Sequence, residues 1–196
     1  MRKDILNKKY ILIITIVIAF LIIAGSIIYL GYGTTMINPD NEKSIVNHLS
    51  SDKNKPINII EKKKYKDYFV ILYTDPTETE NNKYASHLQY YVKHKYYKNR
   101  YKLKAESGGD QTQIMVHFLQ INDLDKSVCF IGNAESKETK CSIFEYDENL
   151  HPIRKLDELD VPQTPYIFVK EYELENEYNN IVVYDGDISL KELIEE

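Results

Sequence analysis

The sequence has no tryptophan, two cysteines, six prolines and seven glycines in 196 residues. So little glycine and proline excludes collagen-like and low-complexity chains, and two cysteines exclude a disulfide-built scaffold. Alanine stops at five and arginine at three, while isoleucine (25), lysine (22), tyrosine (17) and asparagine (15) dominate. The favoured residues have AT-rich codons, which points to a low-GC bacterial genome. The lysine bias then reports codon usage and not a choice of ligand chemistry.

Catalytic signatures are missing too. There is no GxSxG, P-loop, GxGxxG, EF-hand loop or HExxH, and the five histidines (His48, His87, His94, His117, His151) show no metal spacing. No metal and no cofactor is expected. Catalytic groups can still converge from distant strands, so an enzyme is not excluded by the lack of a motif.

What the sequence does hold is one long run without charge, Ile11 to Gly31. At ~1.5 Å per helical residue, such a run reaches ~31 Å, the thickness of a bilayer's hydrocarbon core. Arg2, Lys3, Lys8 and Lys9 precede it against Asp4, while Asp40, Glu42 and Lys43 follow. That asymmetry predicts a cytoplasmic N-terminus and an outer C-terminal domain. Tyr10, Tyr29 and Tyr32 lie at the two ends, where amphipathic rings favour the headgroups. A cleaved signal peptide, cut near Ala24-Gly25-Ser26, is the rival, although Ile27 to Leu30 extend the run to full spanning length. The expected layout is a basic cytoplasmic segment (1–10), a transmembrane helix (11–31), a stalk with a short helix (32–56) and an extracytoplasmic domain (57–196).

Asp40 is a candidate cap for the stalk helix, which runs to about Leu49. Ser50 to Pro56 reads as a loop. Beyond it, short apolar runs alternate with polar clusters every ten residues or so, the texture of an antiparallel β domain. Strands are expected at 57–62, 68–74, 87–93, 100–105, 113–119, 127–131, 141–146, 166–172 and 180–184. Leu88, Tyr90 and Val92 should share a buried face, with His87, Gln89, Tyr91 and Lys93 on a wet one. Tyr101, Leu103 and Ala105 should likewise oppose Arg100, Lys102 and Lys104. Tyr68 to Tyr73 is continuously apolar and should be central, covered on both sides. Ser189 and Glu192 form a capping box for a last helix. The fold class is α+β, rich in β.

Tyr65 to Tyr73, then His87-Leu88-Gln89-Tyr90, then Lys98 to Leu103 resemble a layout in single-pass envelope proteins of low-GC Gram-positive bacteria. The resemblance covers roughly Glu61 to Leu103 and implies no particular activity.

Charge is segregated along the chain. Residues 62–104 carry 11 basic side chains against four acidic ones, and residues 145–196 carry 15 acidic against four basic. Lys93, Lys95, Lys98, Arg100, Lys102 and Lys104, interleaved with Tyr96 and Tyr97, form a candidate binding strip. Such a strip suits an anionic envelope polymer, a lipid surface or a protein partner; nucleic acid is not expected outside the cell. The competing explanation is plain solvated faces, with basic strands paired to acidic strands in one sheet. Cys129 and Cys141 fall at symmetric places about a hairpin-like loop, where they either bridge or stay as two buried thiols. The expected protein is a membrane-anchored, non-enzymatic binding module, with an anchored hydrolase built from scattered His, Asp and Glu as the alternative.

Overall fold

The computed structural model describes residues 2–33, 36–50, 57–80, 83–120, 126–135, 137–162, 165–176 and 178–195. The loop expected at 51–56 lies outside them. In chain order the elements are α1 (Arg2–Gly33), β1 (Met36–Ile37), α2 (Glu42–Leu49), β2 (Asn58–Tyr65), β3 (Tyr68–Glu80) and β4 (Lys83–Lys93). There follow β5 (Tyr101–Gly109), β6 (Met115–Gln120), β7 (Lys126–Asn133), β8 (Lys140–Tyr146), β9 (Pro152–Asp160), β10 (Tyr166–Glu173), β11 (Asn180–Asp185) and α3 (Leu190–Glu195). This is a β-rich α+β protein with antiparallel sheets and few helices.

Three sheets form, in the orders β1-β5-β4-β3-β2, β10-β7-β6 and β11-β8-β9. Period-two side-chain direction explains how they stack. Phe69, Ile71 and Tyr73 of β3 join Ile45 and Leu49 of α2, while Val70 and Leu72 join Val128, Phe130 and Ile167 of the second sheet. The opposite face of β7, Cys129 and Ile131, packs on Cys141 and Ile143 of the third sheet. Strands β3 and β7 are thus buried on both faces, as the unbroken apolar run at 68–73 predicts for β3. Each fully buried side chain of the size of Phe130 or Ile71 contributes ~1.5–3 kcal/mol by area.

Three expectations change. Residues 36–50 are not a free stalk: Ile37 and Ile45 are fully buried, so β1 and α2 belong to the core. The cap of α2 is Asn41, whose side chain accepts from the Ser44 N–H at 3.1 Å, while Asp40 pairs with Lys64. The face of β4 expected to be wet is covered by α2, with Gln89 and Tyr91 buried. The capping box at Ser189 and Glu192 is present at the start of α3.

Helix α1 is 32 residues long, and its described apolar side chains from Ile13 to Ile23 are exposed. Its unbroken stretch of described side chains is 13–26. Among the described residues, no helix is long and apolar enough to cross a membrane.

Candidate functional site

The basic-aromatic segment occupies one end of the five-stranded sheet. There β4 and β5 are joined by a loop closed from the His94 N–H to the Arg100 carbonyl at 2.7 Å. Asn99 turns the chain in the left-handed region, at φ 55°, which Asn tolerates better than most residues. Tyr96 stands 79% exposed at the tip, with Lys95 Nζ 5.6 Å over its ring. Tyr97 packs beside the His94 ring, centroids 4.9 Å apart. The β2–β3 turn abuts the same loop, because the Asp67 carbonyl accepts from the Lys93 N–H at 2.7 Å. Between turn and loop lies a shallow hollow of about 350 Å³ lined by Asp67, Lys93, His94 and Lys95.

The six cations of the expected strip do not behave alike. Lys93 faces the Asp67 carboxylate at 3.5 Å and is partly neutralised. Lys104 is the extra residue of a β-bulge, since Tyr90 pairs with Ala105 and Tyr91 with Leu103. The expected common face of Arg100, Lys102 and Lys104 is therefore broken at Lys104, and Ala105 turns to the side opposite Tyr101 and Leu103. Among the described residues, Lys95, Lys98, Arg100, Lys102 and Lys104 have no carboxylate within ion-pair distance.

Among the described residues, the basic strands of 62–104 do not pair with the acidic C-terminal strands in one sheet. Strands β2 to β5 lie in one sheet, and acidic β9 and β11 lie in another, beyond β7. Lys62 meets Glu42 and Lys64 meets Asp40, while Lys66 reaches the acidic C-terminal region at Glu171 and Lys63 Nζ donates to the Ile167 carbonyl there at 2.9 Å. The acidic sheet is partly balanced by its own lysines: Lys140 and Lys155 both contact Glu158 and Asp187. Lys140 and then Lys155 hold the Glu158 carboxyl down at about 2.

A second polar cluster lies on the α2-facing side of the same sheet. Tyr73 donates to Glu106 at 2.9 Å, His87 Nδ1 lies 3.1 Å from the same oxygen, and Gln89 donates to the Tyr73 hydroxyl at 3.0 Å. Tyr91 donates in turn to Gln89, and the Tyr73 and His87 rings stack at 4.9 Å. The His87 hydrogen bond, foremost, lowers the Glu106 carboxyl to about 2. Burial, aided by the Glu106 charge, pushes the Tyr73 and Tyr91 hydroxyls far above their ordinary range. Strict alternation places Glu106 beside Lys102 and Lys104; the bulge carries it to the face of His87. Gly108 belongs to this cluster as well, because a Cβ there would sit 3.0 Å from His87 Nδ1. His117 does not meet His87: it lies on the other face, against Tyr90 and the Leu88 carbonyl.

Cys129 and Cys141 sit in different sheets, β7 and β8 not being a hairpin, and both are free, buried thiols. Burial pushes them up to about 12 and about 11. Among the described residues no group of three or more His, Cys, Asp or Glu side chains is placed to hold a metal ion. No family model, curated protein or solved structure matches the chain.

Proposed function

We propose that the chain is a single-pass, membrane-anchored module of the cell envelope whose outer β domain binds an anionic polymer through the 94–104 end. The anchor is supported by the charge-free sequence 11–31 within the 32-residue helix α1 and by the exposure of its described apolar side chains. The basic residues before it and the acidic balance after it argue for a domain outside the cell. The similarity in layout to envelope proteins of low-GC Gram-positive bacteria agrees with this placement.

The observation that carries the binding role is the set of five cations with no carboxylate partner among the described residues, beside the exposed Tyr96 and Tyr97. Cations left unpaired in a cluster repel one another, and a bound polyanion relieves that repulsion while releasing its own counterions. The test is retention of the detergent-solubilised full chain on immobilised long-chain polyphosphate at low salt. Wild type should be retained, and the Lys95→Glu, Lys98→Glu, Lys102→Glu variant should pass through with an unchanged melting temperature. Wild type that passes through would refute the binding role.

The alternative, an anchored hydrolase, has the Glu106–His87 hydrogen bond in its favour. It requires turnover of some ester or glycoside that Glu106→Gln abolishes while polyphosphate retention stays as before.

A further inference from the structure

The register of the shortest strand bears on which polyanion the basic end meets. Strand β1 is antiparallel to β5, entering beside Lys102 and leaving beside Tyr101. Along β1 the chain therefore travels toward the 94–100 loop. Gly33, the last residue of α1, precedes Met36 by three residues and lies within ~11 Å of it by chain length. The loop tip lies ahead of Met36 by two residues of β5 and the depth of the loop, ~10–15 Å at ~3.4 Å per residue. The opposite end of the sheet, where β3 and β4 pair at Asp75 and β5 finishes at Gly109, is acidic. It carries Asp110, the half-exposed Glu106 held by His87 and Tyr73, and Asp75, which is buried and accepts from Thr77.

We infer that the basic-aromatic end points away from the bilayer that holds α1, and that its ligand is a soluble phosphate-rich polymer and not the headgroups of that bilayer. This rests on the anchored, polyanion-binding role proposed above. Three features fit a flexible phosphate chain. The 350 Å³ hollow, lined by Lys93, His94 and Lys95 together with the Asp67 carboxylate that faces Lys93, has room for one phosphate group. Lys98 and Arg100 follow it in the loop, and Lys102 lies on β5 next to them in sequence. A flexible chain can place further phosphates beside them, with Lys104 set apart by the bulge. Tyr96 and Tyr97 offer exposed hydroxyls at the tip, a group that commonly donates to phosphate oxygens. A headgroup layer, by contrast, would have to meet the acidic end of the sheet first.

The experiment places the full chain in nanodiscs, where both sides are open to solution. One preparation uses phosphatidylcholine alone, and the other is rich in phosphatidylglycerol. Binding of end-labelled long-chain polyphosphate is followed by fluorescence anisotropy at ~0.15 M salt. Screening over ~8 Å then removes simple repulsion between distant lipid and polymer. The expected result is equal affinity in the two lipids within about twofold, and more than about tenfold weaker binding by Lys95→Glu, Lys98→Glu in both. Binding in phosphatidylcholine that falls more than about tenfold in the anionic discs would overturn the orientation and leave polyanion binding intact. No binding in either lipid at this salt and at lower salt would overturn both.

Discussion

Glu106 is a carboxylate that gathers three partners, His87, Tyr73 and Gln89, at the rim of a buried aromatic layer. Its folded pKa of about 2 lies below the ordinary 4.5, so the network's stabilisation is fully present above pH ~4.5. It is lost as pH falls through about 2. Glu106 is 40% exposed, and solvent screening reduces the linkage to ~1 kcal/mol. Urea unfolding of Glu106→Gln should show that loss at pH 7 and a shrinking difference from wild type between pH 4.5 and 2. A difference that grows toward acid would contradict the assignment. Glu145 is the contrasting case, fully buried on β8. It is satisfied by Arg154 Nε at 2.7 Å, the Asn179 side chain at 2.5 Å and the Glu175 N–H at 2.6 Å. Removing the cation with Arg154→Met leaves an uncompensated buried charge. The cost should be ~3–5 kcal/mol in unfolding free energy. The cysteines give a third residue-scale test. Native protein should resist maleimide, and denatured, unreduced protein should yield two thiols, because both are free, buried and raised in pKa. A disulfide would yield none.

Strand by strand, much of the β structure is legible in the sequence, because a half-buried or buried strand must show its apolar positions. All nine expected strands overlap observed ones. Two strands are missed: β1, whose two residues Met36 and Ile37 are too few to show any alternation, and β9, whose chemistry explains why. It begins at Pro152, carries Arg154, Lys155, Asp157, Glu158 and Asp160, and its ladder to β8 shifts register twice. Each bulge reverses the side-chain parity, so no alternation survives to be read. The bulge at Lys104 has the same origin and a larger consequence, because it hides the Glu106 cluster from any period-two reading. Partner choice is hidden too: β7 and β8 are consecutive and look like a hairpin, yet they lie in different sheets. The candidate cations are visible from composition, while their lack of partners depends on which sheets the acidic strands join. Deleting Lys104 should test the bulge. The ladder then regains strict alternation, and either Glu106 or the pair Tyr101 and Leu103 is turned to the wrong face. Thermal unfolding should show a loss of at least ~3 kcal/mol, against ~0.5 kcal/mol or less for Lys104→Ala.

As a whole, the molecule is a stack with opposed charge. The five-stranded sheet ends in a basic loop cluster, and the sheet farthest from it, β11-β8-β9, is acidic and partly balanced by Lys140, Lys155 and Lys170. Among the described residues, that separation leaves the basic end with Asp67, opposite Lys93, as its internal counter-charge. If α1 anchors the chain with its N-terminus inside, a cysteine at exposed position Glu148 should react with an impermeant maleimide on intact cells. One at Asn7 should not, and the reverse pattern would sink the orientation. The most direct test of the molecule as a polyanion receptor is the salt dependence of polyphosphate binding by the wild-type full chain. Five contacts at about −0.7 each give a slope of ~−3.5 in log affinity against log salt. Reversing Lys95 and Lys98 should flatten it to ~−2 or abolish binding. A wild-type slope near zero, or no binding at any salt, would contradict the role assigned to the basic end.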